Sequence, residues 1–189
     1  GEALMLIERE RCTVFYGTPN MSLALWDHPD RPERDLSSLR TGATIGTPDQ
    51  VRRIVTLGAT QICNVYGLTE AYGNSAVGDA DDPLEIRLNN CGRPLDDVEV
   101  RIVDLESRAP LPTGETGEII IRGFLTPGYL DDPGLTMEGF DNDGFLLTGD
   151  LGFLDANGYL TFRGRLKEMV KTGGINLSLI HISEPTRRT

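Results

Sequence analysis

Gln61-Ile62-Cys63-Asn64-Val65 runs straight into Tyr66-Gly67-Leu68-Thr69-Glu70. The first five residues read as a strand, and the next five form a polar pentad opened by a Tyr-Gly step. The pentad is therefore expected just past the carboxyl end of a strand, where open α/β sheets place their ligands. Immediately upstream, Thr47-Pro48-Asp49-Gln50 is a helix start. Thr47 can cap, Pro48 fits the first turn, and Gln50 can complete a capping box. Val51, Ile54 and Val55 give that helix an apolar face, and Gly58 can end it. Nearer the start, residues 2–11 suit a helix with Ala3, Leu4 and Ile7 on one side. Thr13-Val14-Phe15-Tyr16 reads as a buried strand closed by Gly17. Helices alternating with strands make this half an α/β unit.

The pattern changes after about residue 90. Val98, Val100 and Ile102 alternate with Glu99 and Arg101, as in a half-buried strand. Residues 110–114 are a Pro/Gly loop before a strand over 118–122. Strands at 151–154 and 159–162 flank Asp155-Ala156-Asn157-Gly158, a hairpin turn. The predicted fold class is thus α/β plus a β-rich subdomain.

Bulk properties narrow the function classes. The 189 residues are 39% hydrophobic, enough for a packed core, and the formal net charge of −11 argues against a nucleic-acid surface. No run of 18 apolar residues occurs, so no transmembrane helix is expected, and residues 1–4 do not resemble a signal peptide. Cys12, Cys63 and Cys91 are odd in number and lack a CxxC pair. They read as reduced, buried, small apolar residues of a cytoplasmic protein. The only lysines are Lys167 and Lys171.

Five segments, in order and at domain-scale spacing, carry a resemblance to the adenylate-forming (AMP-binding) ligases. They are Gly42-Ala43-Thr44-Ile45, the segment from Asn64 to Glu70, and Gly117-Glu118-Ile119 through Gly128-Tyr129. Thr148-Gly149-Asp150 follows, then Phe162-Arg163-Gly164-Arg165-Leu166-Lys167-Glu168 continuing to Gly173-Gly174-Ile175-Asn176. The resemblance covers roughly residues 1–178. It divides the chain into the end of an α/β nucleotide- and acyl-binding subdomain (1–89), a β-rich subdomain (90–163) and a hinge with the start of a small C-terminal domain (164–178).

The resemblance also implies roles. Gly42, Ala43 and Thr44 look like a loop lining the nucleotide and acyl pockets, kept small so that nothing blocks the nucleotide. Asn64, Tyr66 and Gly67 would help bind ATP, with the Tyr66 ring as a stacking face for adenine. Thr69 would donate to a phosphate oxygen, and Glu70 would hold Mg²⁺, which takes few protein ligands. Thr69 could instead be a plain helix cap. Asp150, expected after a Thr-Gly turn, would accept the ribose hydroxyls. Arg165 would reach the ribose and the reacting phosphate. Val65 and Gly73 would shape the acyl pocket, and Val65 would narrow it toward medium-length or compact acids. Lys167 marks the hinge.

Leu68 stands where peptide-synthetase adenylation domains usually carry proline. The run from Lys167 to Lys171 resembles acyl-CoA synthetases. The implied substrates are a carboxylic acid, ATP and coenzyme A; the alternatives are a ligase that loads a carrier protein and an inert fragment. The family's phosphate loop is expected upstream of Gly1 and its C-terminal lysine beyond Asn176, so the chain reads as part of a longer protein. Residues 179–189, including His181, look like a non-native tail and are given no function.

Overall fold

The computed structural model of the chain describes residues 1–172 and 175–178. Gly173, Gly174 and the tail with His181 lie outside the described residues. The chain divides into two units, Gly1–Asp96 and Asp97–Thr189.

The first unit contains α1 (Glu2–Arg9), β1 (Val14–Gly17), α2 (Pro19–Trp26), β2 (Thr41–Thr44) and α3 (Pro48–Thr56). It continues through β3 (Gln61–Leu68), β4 (Gly73–Val77), α4 (Leu84–Asn89) and β5 (Arg93–Pro94). One sheet runs in the order β1-β2-β3-β4-β5. The pairs β1/β2 and β2/β3 are parallel; β3/β4 and β4/β5 are antiparallel. Its core joins Leu4 of α1, Phe15 of β1, Val51 and Ile54 of α3, Ile62 of β3 and Leu88 of α4. Of the apolar side expected for the first helix, Leu4 is buried and Ile7 half-buried, whereas Ala3 is exposed.

Two expectations for this unit change. β1 is not a buried strand: Phe15 enters the core, while Val14 and Tyr16 on the opposite face are 54% and 67% exposed. The alternation is that of a sheet covered on one face only. Cys12 is half-buried rather than buried, while Cys63 and Cys91 are buried; all three are free thiols.

The start of α3 matches the expected capping box. Gln50 N–H donates to Thr47 Oγ1, and Thr47 N–H donates to Gln50 Oε1 at 2.8 Å. Thr47→Ala should therefore cost about 1 kcal/mol of stability. Its denaturant midpoint, compared with that of Thr47→Ser, checks this, because serine retains the capping oxygen.

A buried arginine completes the edge of β3. The carbonyls of Ile62 and Asn64 in β3 point to one side, and that of Thr60, just before the strand, follows the same alternation. Gly78 N–H takes the Asn64 carbonyl at 3.0 Å. Arg87, in α4 and 6% exposed, takes the next two: Nη1 donates to Ile62 O at 2.7 Å and Nη2 to Thr60 O at 3.0 Å. Its Nε donates to Asp82 O at 2.9 Å, tying down the loop before α4. The guanidinium fork thus stands in for N–H groups of an absent neighbouring strand segment.

The second unit holds β6 (Glu99–Val103), β7 (Gly117–Arg122), α5 (Pro133–Gly139), β8 (Leu146–Leu154) and β9 (Leu160–Arg165). Strands β6-β7-β8-β9 form an antiparallel sheet in chain order. Val103, Ile120 and Phe145 pack together at its core. A short helical turn, Leu166–Glu168, leads to a hairpin of β10 (Met169–Thr172) and β11 (Ile175–Ser178). β8 begins earlier than the expected strand at 151, and this takes Thr148-Gly149-Asp150 into the sheet.

Candidate functional site

Because β1, β2 and β3 are parallel, their carboxyl ends share one edge of the first unit. An open depression lies there. It is lined by Ile45, just after β2, by Gly67, Leu68 and Thr69 at the end of β3, and by Tyr72, Gly73 and Asn74. Asn74 Nδ2 donates to Tyr16 Oη at 3.2 Å, which brings in the end of β1. Thr69, Glu70 and Ala71 form a single 3₁₀ turn that leaves Thr69 exposed and Glu70 half-buried. Tyr72 closes the turn at φ 54°, a region sparsely populated by residues with a Cβ, and its ring is 73% exposed.

The pentad is not wholly beyond the strand. Residues 66–68 belong to β3, which pairs with β4 through a register shift at Tyr66/Gly67. Tyr66 is consequently 6% exposed, so a base could stack on its ring only after the ring face is uncovered. Val65, also 6% exposed, sits opposite Val77. Gly73 lines the depression and Val65 is not among its lining residues.

Gly42, Ala43 and Thr44 are corrected from a loop to the strand β2. The reason Gly42 is small lies in its neighbour. At φ 144° a Cβ on Gly42 would fall 1.7 Å from the Phe15 carbonyl oxygen of β1, so strand packing already forbids a side chain. Ala43 and Thr44 are buried, and Thr44 Oγ1 donates to Gly17 O at 2.8 Å. Asn64 is 5% exposed; its Oδ1 accepts from Val65 N–H and its Nδ2 donates to Gly46 O at 3.4 Å. It holds the segment that follows β2. Burial pushes the Cys63 thiol up, with the Arg87 charge opposing, so the cysteine in β3 is an inert core residue.

In the second unit Asp150 is not at a turn. Glu118 pairs with Leu151 and Ile120 with Leu147, so residues 148–150 of β8 stand opposite Ile119 alone. This is a bulge within the sheet, with Gly149 at φ 68°. Asp150 is 3% exposed, and Arg165, its partner in β9, approaches Oδ1 with Nε at 3.2 Å. The Arg165 side chain is 61% exposed, so this cation lies between a buried carboxylate and solvent. Lys167 is exposed in the helical turn after β9.

Thus the depression unites Gly67, Thr69 and Gly73 from the expected set, while Asp150 and Arg165 pair in the second unit. Sequence reasoning missed Tyr16, Tyr72 and Asn74, and gave Ile45, inside its first motif, no role. For Tyr16 a signal existed, since alternation in β1 puts it on the face opposite Phe15. For the others the strand register decides, and it is not local. Among the described residues, no group of three or more His, Cys, Asp or Glu could hold a metal, and no helix is long and apolar enough to cross a membrane.

Known proteins match this arrangement. The family described as AMP-binding enzyme matches residues 2–130. A medium/long-chain-fatty-acid CoA ligase of Mycobacterium tuberculosis is 39% identical over 183 residues, covering 93% of this chain and 31% of the ligase. A dioxo-octahydroindenyl-propanoyl:CoA ligase of the same organism is 40% identical over 180 residues, 93% of this chain and 33% of its own length. The ATP-bound structure of MatB from Rhodopseudomonas palustris superposes with a TM-score of 0.83 at 29% identity, covering 97% of this chain and 37% of that one. The chain spans about a third of the length of these curated relatives. With more than half of its residues matched by the family, this chain belongs to the AMP-binding, adenylate-forming enzymes and represents a fragment of their fold.

Proposed function

We propose that the protein containing this chain is an acid–thiol ligase. It activates a carboxylic acid with ATP to an acyl-adenylate and then transfers the acyl group to coenzyme A. The observation that carries this reading is the pentad's position. Thr69 and Glu70 leave the carboxyl end of β3 at the rim of an open depression, in a chain whose relatives are CoA ligases.

In the first half-reaction the carboxylate attacks the α-phosphorus of ATP in line, forming the mixed anhydride and releasing pyrophosphate. Thr69, exposed, donates its hydroxyl to a phosphate oxygen. Glu70, half-exposed on the turn, is a hard oxygen donor and suits a Mg²⁺ ion that keeps phosphate oxygens as its other ligands. Bound there, the ion would supply charge neutralisation at the phosphates. Asp150 accepts the ribose hydroxyls, and Arg165 swings from Asp150 toward the phosphate. Tyr66 supports the adenine once its ring face is uncovered, Asn64 steadies the segment after β2, and Gly67 lets the nucleotide approach the backbone. Gly73 bounds the acyl pocket directly, and Val65, buried behind the depression, sets its depth. In the second half-reaction the thiol attacks the acyl carbon and AMP leaves. The turn at Lys167 is the hinge between the two faces of the site. Positioning supplies most of the catalysis.

The test measures AMP and pyrophosphate from the full-length protein with ATP, Mg²⁺ and a panel of acids, with and without coenzyme A. The expected result is acid-dependent pyrophosphate release and sustained turnover only with the thiol, AMP and thioester forming one to one. ADP as product, or ATP consumption independent of acid, would overturn the reading.

A further inference from the structure

We infer that Glu118 is a positioning residue for Asp150, acting through the β8 bulge. The inference rests on the reading of Asp150 as the ribose ligand and extends it to a residue with no assigned role.

A bulge removes ladder hydrogen bonds, and here side chains replace them. Glu118 is 4% exposed and lies in β7 beside the bulge. Its Oε1 accepts the Gly149 N–H at 3.0 Å, and its Oε2 is paired with Arg108 Nη1. On the other side of the bulge, Thr148 Oγ1 donates to Ile119 O at 2.6 Å and accepts the Asp150 N–H at 3.0 Å. The backbone on both sides of the Gly149–Asp150 bond is therefore held by two side-chain anchors. One is neutral and local. The other is a buried carboxylate whose charge is matched by Arg108.

A buried carboxylate needs such matching, and an ordinary sheet would not require a charge here. What the charge does is strengthen the bond to Gly149 N–H, since an ionised acceptor binds a backbone donor more tightly than a neutral one. Gly149 sits at φ 68° and offers no side chain for packing to grip; nothing lies within 4 Å of where its Cβ would be. Glu118 holds it instead. A looser bulge would let the Asp150 carboxylate drift from the geometry needed to meet two vicinal hydroxyls at once.

The test uses the full-length enzyme and compares KM for ATP with KM for 2′,3′-dideoxy-ATP. Ratios of KM do not depend on how much of a preparation is folded. Wild type should prefer ATP by about tenfold to a hundredfold, as expected for hydrogen bonds to a charged group. D150A should abolish the preference. E118Q should lose most of it while KM for the acid stays within about twofold, and E118Q/D150A should be no worse than D150A alone. A merely structural Glu118 would lower kcat or yield and leave the nucleotide preference intact. That result, with D150A still losing the preference, overturns the inference alone. Retention of the preference by D150A overturns the ribose reading and this inference with it. Where E118Q is not obtained folded, E118D decides. It keeps the charge for Arg108 but draws the carboxylate back from Gly149, and it should lose the preference in the same way; a wild-type preference in E118D overturns the proposal.

Discussion

Replacing Glu70 with glutamine in the full-length enzyme should slow acyl-adenylate formation by about 10²–10³-fold, the usual cost of removing one preorganised electrostatic partner. The substitution keeps the shape of the side chain and one acceptor oxygen and removes only the charge. Glu70 lies half-exposed on the turn that follows β3, where glutamine keeps its length and shape. Mg²⁺ binds few protein ligands, and among the described residues no carboxylate cluster stands ready to compensate. Single-turnover pyrophosphate release measured across a Mg²⁺ titration checks this. The defect should ease in part as Mg²⁺ rises, because the loss falls on ion affinity. Normal rates at every Mg²⁺ concentration would remove Glu70 from the metal site.

The second large effect is on stability. Arg87→Met should destabilise the protein by on the order of 2–4 kcal/mol, since the buried Ile62 carbonyl loses a charged donor and the Thr60 and Asp82 carbonyls lose theirs at the margin of the core. Methionine fills much of the volume and leaves Thr60 O and Ile62 O without those partners. Arg87→Lys should recover little, because an ammonium cannot fork across two carbonyls as a guanidinium does. Arg52→Met is the control. Arg52 is about half exposed and pairs with an exposed Glu85, a contact of small value. Denaturant midpoints of the three variants, read beside wild type, measure the difference. Near-equal losses in Arg87→Met and Arg52→Met would show that the edge carbonyls find other donors.

What could be read from the sequence was local in origin. The capping box at Thr47 needs only residues 47–50 to agree with one another, and it forms as expected. The run from Gln61 into Glu70 carries its own signal, a strand giving way to a polar turn. Gly42 lies in a strand rather than a loop, and the Phe15 backbone that a Cβ there would meet reaches it only once β1 and β2 pair. Asp150 was placed at a turn because a bulge has no signature in one strand alone; it exists only relative to the register of β7. Arg87 has no signal in the sequence for the same reason. Its partners lie 25 and 27 residues away and are carbonyls, which no side-chain pattern reveals.

The bulge in β8 carries a consequence for how such a protein could decay. Three residues of β8 face one of β7, an excess of two, and two is also the number of residues after which a strand side chain returns to the same face. Losing two residues here would return β8 to regular pairing with every flanking side chain still on its original side of the sheet. An in-frame deletion of six nucleotides could therefore leave the architecture standing and erase the carboxylate that the bulge presents. On the proposed reading of Asp150 as the ribose ligand, descendants of that kind would keep the sheet and bind the nucleotide weakly.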